Sequence, residues 1–425
     1  MSREMKDSGV EWIGEIPKLW EVKKLGSLYK KRNEKVSDID YQPLSVTKNG
    51  ILPQLETAAK SNDHENRKLV LKDDFVINSR ADRKMSSGTS SYDGSVSLIN
   101  HVLYSEIMNP QYTNYLLKNY SFAEEFYRWG SGIVDDLWST NWDKMKKINI
   151  PIPSRAEQIN IVQELDAKIS VISNILTETR ESIENLKKYK QSLITEVVTK
   201  GLDKNVEMKD SGIEWIGEIP KDWEMTKLRY QIIIDPSTSE INVIPEDSTF
   251  LPMDKLKNGY MDIELKGKTL ENMKKYTYFA EGDITIAKVR PSFENGNIAI
   301  AKNLISKIGF GTSEIFTIRN QNKDILQEFL FYFLQNQSFI KYASSTMTGV
   351  AGLKRISSSI LRDTKITVPN LNEQKQIINF LNQKTNDIET LIDKKKSLIN
   401  EYESYKKSLI YEYVTGKKEV GEVEK

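Results

Sequence analysis

Cysteine is missing altogether, and histidine occurs only twice, at His64 and His101. That excludes a disulfide framework, a thiolate nucleophile and any Cys–His zinc site, so no metal site is expected. Both imidazoles sit in loop-like or strand-edge contexts and neither reads as catalytic. No apolar run approaches the roughly 18–20 residues that cross a bilayer. The opening MSREMKDSGVEW lacks the apolar stretch of a secretory signal. No membrane role and a cytoplasmic location are therefore expected. An excess of one charge is missing too, since 61 Lys and Arg face 60 Asp and Glu for a formal net charge of +1. Net charge thus does not announce nucleic acid, although a neutral total can hide a basic face. Neither GxxxxGK[ST] nor GxGxxG occurs; the GKT that ends at Thr269 has the wrong spacing for a phosphate loop. The 60 carboxylates have no partner motif that would single out an acid or base. No catalytic residue is assigned.

What is present is a chain written twice. Residues 5–25, MKDSGVEWIGEIPKLWEVKKL, return as MKDSGIEWIGEIPKDWEMTKL at 208–228, with 17 of 21 positions identical at an offset of 203. A second repeat joins EQINIVQELDAK at Glu157 through YKQSLITEVVTKG at Gly201 to EQKQIINFLNQK at Glu373 through YKKSLIYEYVTG at Gly416, mostly at an offset of 216. Between these lie stretches that have diverged. They keep traces of common origin at an offset of 209: Lys48-Asn49-Gly50 with Lys257-Asn258-Gly259, and Asp74 with Asp283, each acid preceding a strand-like run. A recent duplication without functional meaning would leave all parts equally similar. Here the frame is kept and the inserts are not, the pattern of one scaffold carrying two different recognition surfaces. At 425 residues with 38% hydrophobic and 28% charged composition, the chain suits a soluble protein of at least two globular units.

Within the second repeat the apolar positions follow three-four spacing. The first copy gives Val162, Leu165, Ile169, Ile172, Leu176, Ile183, Leu186 and Leu193. The second gives Ile378, Leu381, Ile388, Ile392, Ile399 and Leu409. Pro151, Pro153 and Pro369 lie just upstream, and Gly201 and Gly416 mark the ends. The spacing predicts two helices of about 40 residues, roughly 60 Å each, paired as an antiparallel coiled coil. If the N-terminal segment packs where the second helix ends, the molecule closes into a ring with two-fold pseudosymmetry and globular units at opposite ends. Lys190 and Lys406 share one seam position; their stems are expected to cover the seam while the charges reach water, with a register-setting role as the alternative.

Each insert carries basic clusters among small polar residues. The first has Arg80, Arg83 and Lys84, followed by Ser86 and Ser87 in SSGTSSYDGSVS, expected to be a flexible polar loop. The second has Lys288, Arg290 and Asn295 in AKVRPSFENGN, and Lys354 and Arg355 in TGVAGLKRIS. Arg and Lys can neutralise phosphates, and Arg, Asn and Ser can read base edges. Trp12, Trp20, Trp215 and Trp223 belong to the shared frame and are expected to be packing anchors. The two Asn-Gly pairs are expected to be tight turns between strands.

The paired WIGEIP…W openings, the divergent inserts, the proline-rich entries INIPIPSRAEQ and ITVPNLNEQ, and the helix ends SLITEVVTKG and SLIYEYVTG together resemble Type I restriction–modification specificity subunits, over essentially the whole chain. The resemblance implies two α/β (α+β) target-recognition domains separated by two long antiparallel helices. It divides the chain into a frame segment (1–25), domain 1 (26–153), a first long helix (154–201), the repeated frame segment (202–228), domain 2 (229–369), a second long helix (370–416) and a tail (417–425). Each domain would read half of a bipartite asymmetric site in double-stranded DNA. The helices would set the gap, with half-sites roughly 34 Å apart presenting one face of the duplex. The helices would also dock two methyltransferase subunits, and through them restriction/translocase subunits. The chain itself would be non-catalytic and bind no cofactor; S-adenosylmethionine, ATP and Mg would belong to its partners. The glycine-rich TGVAGLKRIS has only a loose counterpart in SGIVDDLWST from Ser131, so a shared contact role for the two loops is not expected. Two rivals stand beside this reading: an adaptor that never touches DNA, and an enzyme acting alone on DNA.

Overall fold

The two copies of the frame segment fold the same way, helped by glycines at backbone angles that other residues rarely adopt. Met5–Asp7 pairs antiparallel with Glu15–Pro17, and Met208–Asp210 with Glu218–Pro220. The connecting loops turn at Gly9 and Gly14 (both φ +68°), and at Gly212 and Gly217 (φ +66° and +75°). The next strand of each frame, Glu21–Lys24 or Glu224–Lys227, pairs with the proline-rich entry, Asn149–Ile152 or Lys365–Val368. These observations come from a computed structural model that describes residues 3–54, 65–133, 138–241, 247–262, 275–349 and 354–420. His64 and parts of both loop motifs (134–137 and 350–353) lie outside the described residues. The chain divides into two compact units, Met1–Thr179 with Lys396–Lys425, and Arg180–Lys395.

The diverged inserts prove to share the strand order of their larger sheet, whereas their smaller sheets differ, with Lys35–Val36 antiparallel to Arg67–Val70 in the first unit and Thr249–Leu251 parallel to Ile308–Gly311 in the second. In the first unit a four-stranded sheet runs Ser87–Thr89, Phe75–Asn78, Asn100–Tyr104, Lys30–Lys31. In the second it runs Ile298–Ile300, Ile284–Ala287, Ile315–Asn320, Ile232–Ile234. Both have a smaller three-stranded sheet and two short helices, Pro110–Lys118 with Tyr120–Arg128, and Gln327–Leu334 with Gln337–Ser345. The fold is therefore the expected mixture of two α/β domains with two long helices. The acids at the 209 offset explain part of the likeness. Asp74 and Asp283 are buried; each accepts from a backbone N–H three residues upstream and from a bidentate arginine. The arginine differs in origin: Arg32 (2.7 and 3.0 Å) follows the edge strand, whereas Arg319 (2.7 and 2.7 Å) stands on the neighbouring central strand. A buried carboxylate must be paired, but which strand supplies the cation is free.

The long helices span Arg155–Lys200 (46 residues) and Leu371–Val414 (44 residues). They exceed the expected 40 because each begins a turn or more ahead of its apolar stripe. In the first unit Tyr413 meets Glu164 (3.3 Å) and Lys406 meets Ser173 (3.2 Å); in the second, Lys190 meets Glu389 (2.6 Å) while Gly201 lies beside Glu373. One number rises as the other falls, so the helices are antiparallel within each unit. Val162, Leu165, Ile172, Leu176 and Leu409 are buried in the first unit, with Ile169 and Ile399 partly so; Ile183, Ile378, Leu381, Ile388 and Ile392 are buried in the second, with Leu186 and Leu193 partly so. Near its two ends the first long helix gains a second apolar face, Ile161 in the first unit and Ile194 and Val198 in the second, which enters the core there. The expectation that both seam lysines reach water is corrected. Lys190 is buried and ion-paired with Glu389, and half-buried Lys406 donates to the Ser173 hydroxyl.

Three distant segments meet at one joint in each unit. The Trp20 indole donates to Glu157 Oε2 (2.8 Å), and that of Trp223 to Glu373 Oε2 (3.0 Å). The neighbouring Gln158 and Gln374 donate to the carbonyls of Pro153 (3.1 Å) and Pro369 (2.8 Å), and accept from the N–H groups of Asn109 and Leu326. The same tryptophans hold the end of the other long helix. Gly416 (φ +74°) packs on Pro17 and Trp20, and Gly201 (φ +76°) on Pro220 and Trp223. A Cβ at Gly416 would fall inside van der Waals contact with the Pro17 ring, whereas at Gly201 the nearest atoms are Glu373 Oε1 at 3.1 Å and Trp223 at 3.2 Å. Gly416→Ala is thus expected to cost about 2–4 kcal/mol, from the left-handed backbone plus overpacking, and Gly201→Ala about 1–2 kcal/mol. Urea-denaturation midpoints of the two variants check the order.

Candidate nucleic-acid interface

In the second unit, backbone hydrogen bonds gather the basic segments at one end of the central sheet. The strand Ile284–Ala287 runs out into Lys288–Asn297, and Arg355 closes on this loop opposite Val289: Arg290 N–H donates to Lys354 O and Ile356 N–H to Lys288 O, both at 3.0 Å. Arg355 also pairs with Thr348 (3.1 and 2.8 Å), and Lys288 N–H donates to Glu314 O (2.7 Å). The Lys257-Asn258-Gly259 turn joins them, through Ile298 N–H to Lys257 O (3.1 Å) and the Asn258 amide to Asn295 O (3.3 Å). All five candidates of this insert, Lys288, Arg290, Asn295, Lys354 and Arg355, therefore share one end.

Their side chains are not equally available. The Lys288 ammonium lies over Phe316 (4.2 Å), near Asp235 (3.6 Å) and the Ser313 carbonyl (3.2 Å), which holds it inward. Arg290 is half-exposed and bonded to Glu294 (2.8 Å). Asn295 and Lys354 are exposed. Arg355 is half-exposed and grips both oxygens of Glu314, Nε and Nη2 each at 2.8 Å, and these bonds hold the Glu314 carboxyl below the usual carboxylate range.

The first unit repeats the bonds that close this loop. Ala81 N–H donates to Trp138 O (2.9 Å) and Thr140 N–H to Ser79 O (3.0 Å), closing Arg80 against Ser139; Ser139 pairs with Ser131 (3.0 and 3.1 Å). The described ends of the two motifs, Ser131 with Trp138–Thr140 and Thr348 with Lys354–Ile356, are thus structural counterparts, and the expectation that they share only a loose likeness is corrected there. Equivalence sits in backbone pairing, which residue identity does not display. Arg80 and Arg83 are exposed, while Lys84 is paired with Glu124 beside Tyr120. Ser86 and Ser87 are buried, and their segment is not a flexible loop. Ser87–Thr89 pairs with Phe75–Ile77, and Gly94–Ser97 with Arg67–Val70, because the small residues let strands pack closely. Neither serine is presented to a ligand. The Asn-Gly pairs do turn the chain, but out of step: Asn258-Gly259 is central between Lys257 and Tyr260, whereas Thr47 pairs with Gly50 around Lys48-Asn49.

Two buried groups support this end of the first unit: Lys68, which the sequence did not single out, and His101, which lies on the inner strand Asn100–Tyr104 rather than in a loop or at a strand edge. Lys68 donates to the carbonyls of Leu98 (2.7 Å) and Asn100 (2.6 Å), fixing the turn there; burial, with Lys31 nearby, pushes it down to about 8. The counterpart at the 209 offset, Thr277, clamps the matching turn through Thr312 O (3.2 Å), and that offset was the only signal available. His101 Nε2 donates to Thr140 O (2.8 Å), beside the Arg80–Ser139 pair, while burial pushes its imidazole down to about 4. Tyr127 O accepts from the Trp138 indole (2.8 Å) on the same segment.

An unfolded histidine titrates near pH 6.5. Between there and about 4 the unfolded chain therefore binds a proton that folded His101 refuses. Stability is full above the unfolded value and falls as pH drops through this window, by on the order of 3 kcal/mol. His101→Phe should flatten that part of the pH dependence. Urea midpoints of both proteins at about pH 7.5 and about pH 4.5 test it.

Residues 240–401 match the family model described as the Type I restriction modification DNA specificity domain. The EcoAI specificity subunit of Escherichia coli is 35% identical over 164 residues, 38% of this chain but 28% of that protein. The chain thus spans under a third of that relative's length. The putative MjaX specificity subunit of Methanocaldococcus jannaschii is 27% identical over 413 residues, 90% of each chain. Among solved structures, a chain from a type I R-M system studied for complex assembly and conformational transition superposes with TM-score 0.70 at 14% identity, covering 94% of this chain and 98% of its own. The HsdS subunit of Thermoanaerobacter tengcongensis gives TM-score 0.53 at 15% identity, with the same coverage. The resemblance to Type I specificity subunits is borne out. Among the described residues, no helix is long and apolar enough to cross a membrane.

Proposed function

Because the chain carries a Type I restriction modification DNA specificity domain and resembles specificity subunits along its length, we propose that it is the non-catalytic DNA-reading subunit of such a system. Residues 26–153 and 229–369 each read one half of a bipartite, asymmetric duplex site. The long helices set the gap and dock two methyltransferase subunits, and these bring the restriction/translocase subunits. S-adenosylmethionine, ATP and Mg act in those partners. The observation that carries this reading is that two inserts with little sequence in common use one backbone plan to bring different polar and basic side chains to the same end of the sheet. Phosphate contacts position such a protein and base contacts specify it. An adaptor that never touches DNA has no need of two diverged copies of that end.

Co-expression with the methyltransferase of its own operon, followed by genome-wide mapping of methylated adenines, should yield a split asymmetric motif with a fixed gap. Replacing residues 26–153 by another insert should change one half of that motif only. A complex that methylates nothing and binds DNA no better than the methyltransferase alone, without the salt dependence of phosphate binding, supports the adaptor instead.

A further inference from the structure

One bridged residue pair at the loop end holds an arginine in both units, supplied from opposite sides. In the first unit Arg80 faces Ser139; in the second, Val289 and Arg355 stand at the corresponding places. Directly opposed residues of an antiparallel pair project to the same face. Both units therefore present a guanidinium there, although no arginine is retained at either position.

The Arg355 guanidinium is preset for a task that a phosphate contact does not require. Nε and one Nη2 hydrogen are committed to Glu314, both at 2.8 Å, so the plane of the fork is fixed. The side chains stay 48% and 32% exposed, so the far end of the fork is open to a ligand. Two Nη1 hydrogens and the second Nη2 hydrogen remain, an end-on pair of donors with the spacing that guanine O6 and N7 accept. The charge argument points the same way. With Glu314 alongside, the pair is close to neutral, and its carboxylate repels a phosphate. Lys354, the adjacent residue, is exposed and has no ion-pair partner among the described residues.

We propose that Arg355, held in place by Glu314, is a base-reading residue that donates to O6 and N7 of a guanine in the half-site recognised by the second unit, while Lys354 contacts phosphate. This rests on the DNA-reading function proposed above. The test uses the complex with its methyltransferase. Methylation maps of Arg355→Ala and Arg355→Lys are expected to show one guanine of the second unit's half-motif become degenerate, with roughly 10- to 100-fold loss of discrimination and the other half unchanged. Lysine keeps the charge but lacks the fork, so it should not rescue. Lys354→Ala should leave the motif intact and lower the salt slope of binding by about one. Duplexes with 7-deazaguanine at single positions, which lack the N7 acceptor, give a readout on the unaltered protein if a variant misfolds. One such position should weaken binding. The proposal fails if that half-motif contains no guanine, if no 7-deazaguanine position matters, or if Arg355→Ala weakens all sequences alike and lowers the salt slope. Absence of any split motif with the unaltered chain would instead remove the DNA-reading function itself.

Discussion

The structure depends on a tryptophan that must satisfy two helices at once. Trp20 and Trp223 each donate an indole hydrogen to the glutamate near the start of one long helix, and each covers a glycine at the end of the other. A bulky, fully buried indole tolerates little displacement, so the entry of one helix and the exit of the other are fixed together. The glutamine after each glutamate extends the constraint to the insert, bonding the proline-rich entry and the N-terminal end of a short helical segment. Through these bonds the variable region, both helices and the frame segment meet within a few residues. That accounts for where identity survives in the sequence: WIGEIP…W, the EQ pair and the terminal glycine are the parts of the joint.

What was legible in the sequence follows from this. Repeats, heptads and helix ends were readable because each is a local pattern imposed by a local cause. The common strand order of the inserts' larger sheets was not, since its constraints are interchangeable between strands. Asp74 and Asp283 could be aligned, but Arg32 and Arg319, which satisfy them, come from different strands. The candidate site shows the same division. Basic clusters were visible as composition, but the convergence of Lys288, Arg290 and Arg355 on one end rests on backbone bonds between loops more than 60 residues apart. Ser86 and Ser87 misled because small polar residues suit a tightly packed strand as well as a loop. Lys68 gave no sign, because a cation satisfied by two carbonyls inside a strand has no motif.

A surface built on backbone hydrogen bonds has a consequence for change. The bonds that hold Trp138–Thr140 and Lys354–Ile356 in place use N–H and C=O groups, so exposed side chains there can vary while that support remains. Side-chain supports beneath add to these in the first unit, where His101 holds the Thr140 carbonyl and Trp138 the Tyr127 carbonyl. Divergence is concentrated where side chains are not structural, which is what permits one fold to present two chemistries.

The long helices need a different safeguard, because a heptad seam is degenerate to slippage by seven residues. In the observed register Lys190 faces Glu389, and Lys406 faces Ser173. A slip one way would set Lys190 against Lys396 and Lys406 against Arg180, two like-charge contacts at a partly desolvated seam. The opposite slip would exchange Glu389 for Asn382 but offer Lys406 the carboxylate of Asp166. Charge therefore guards only one direction. The other is closed by the joints, since moving one helix by a heptad, roughly 10 Å, would pull Gly416 off Trp20 and Gly201 off Trp223 and leave both indoles without the glycine surfaces they cover. Seam charge and terminal glycine are complementary parts of one register device, which the joints set as much as the coil does.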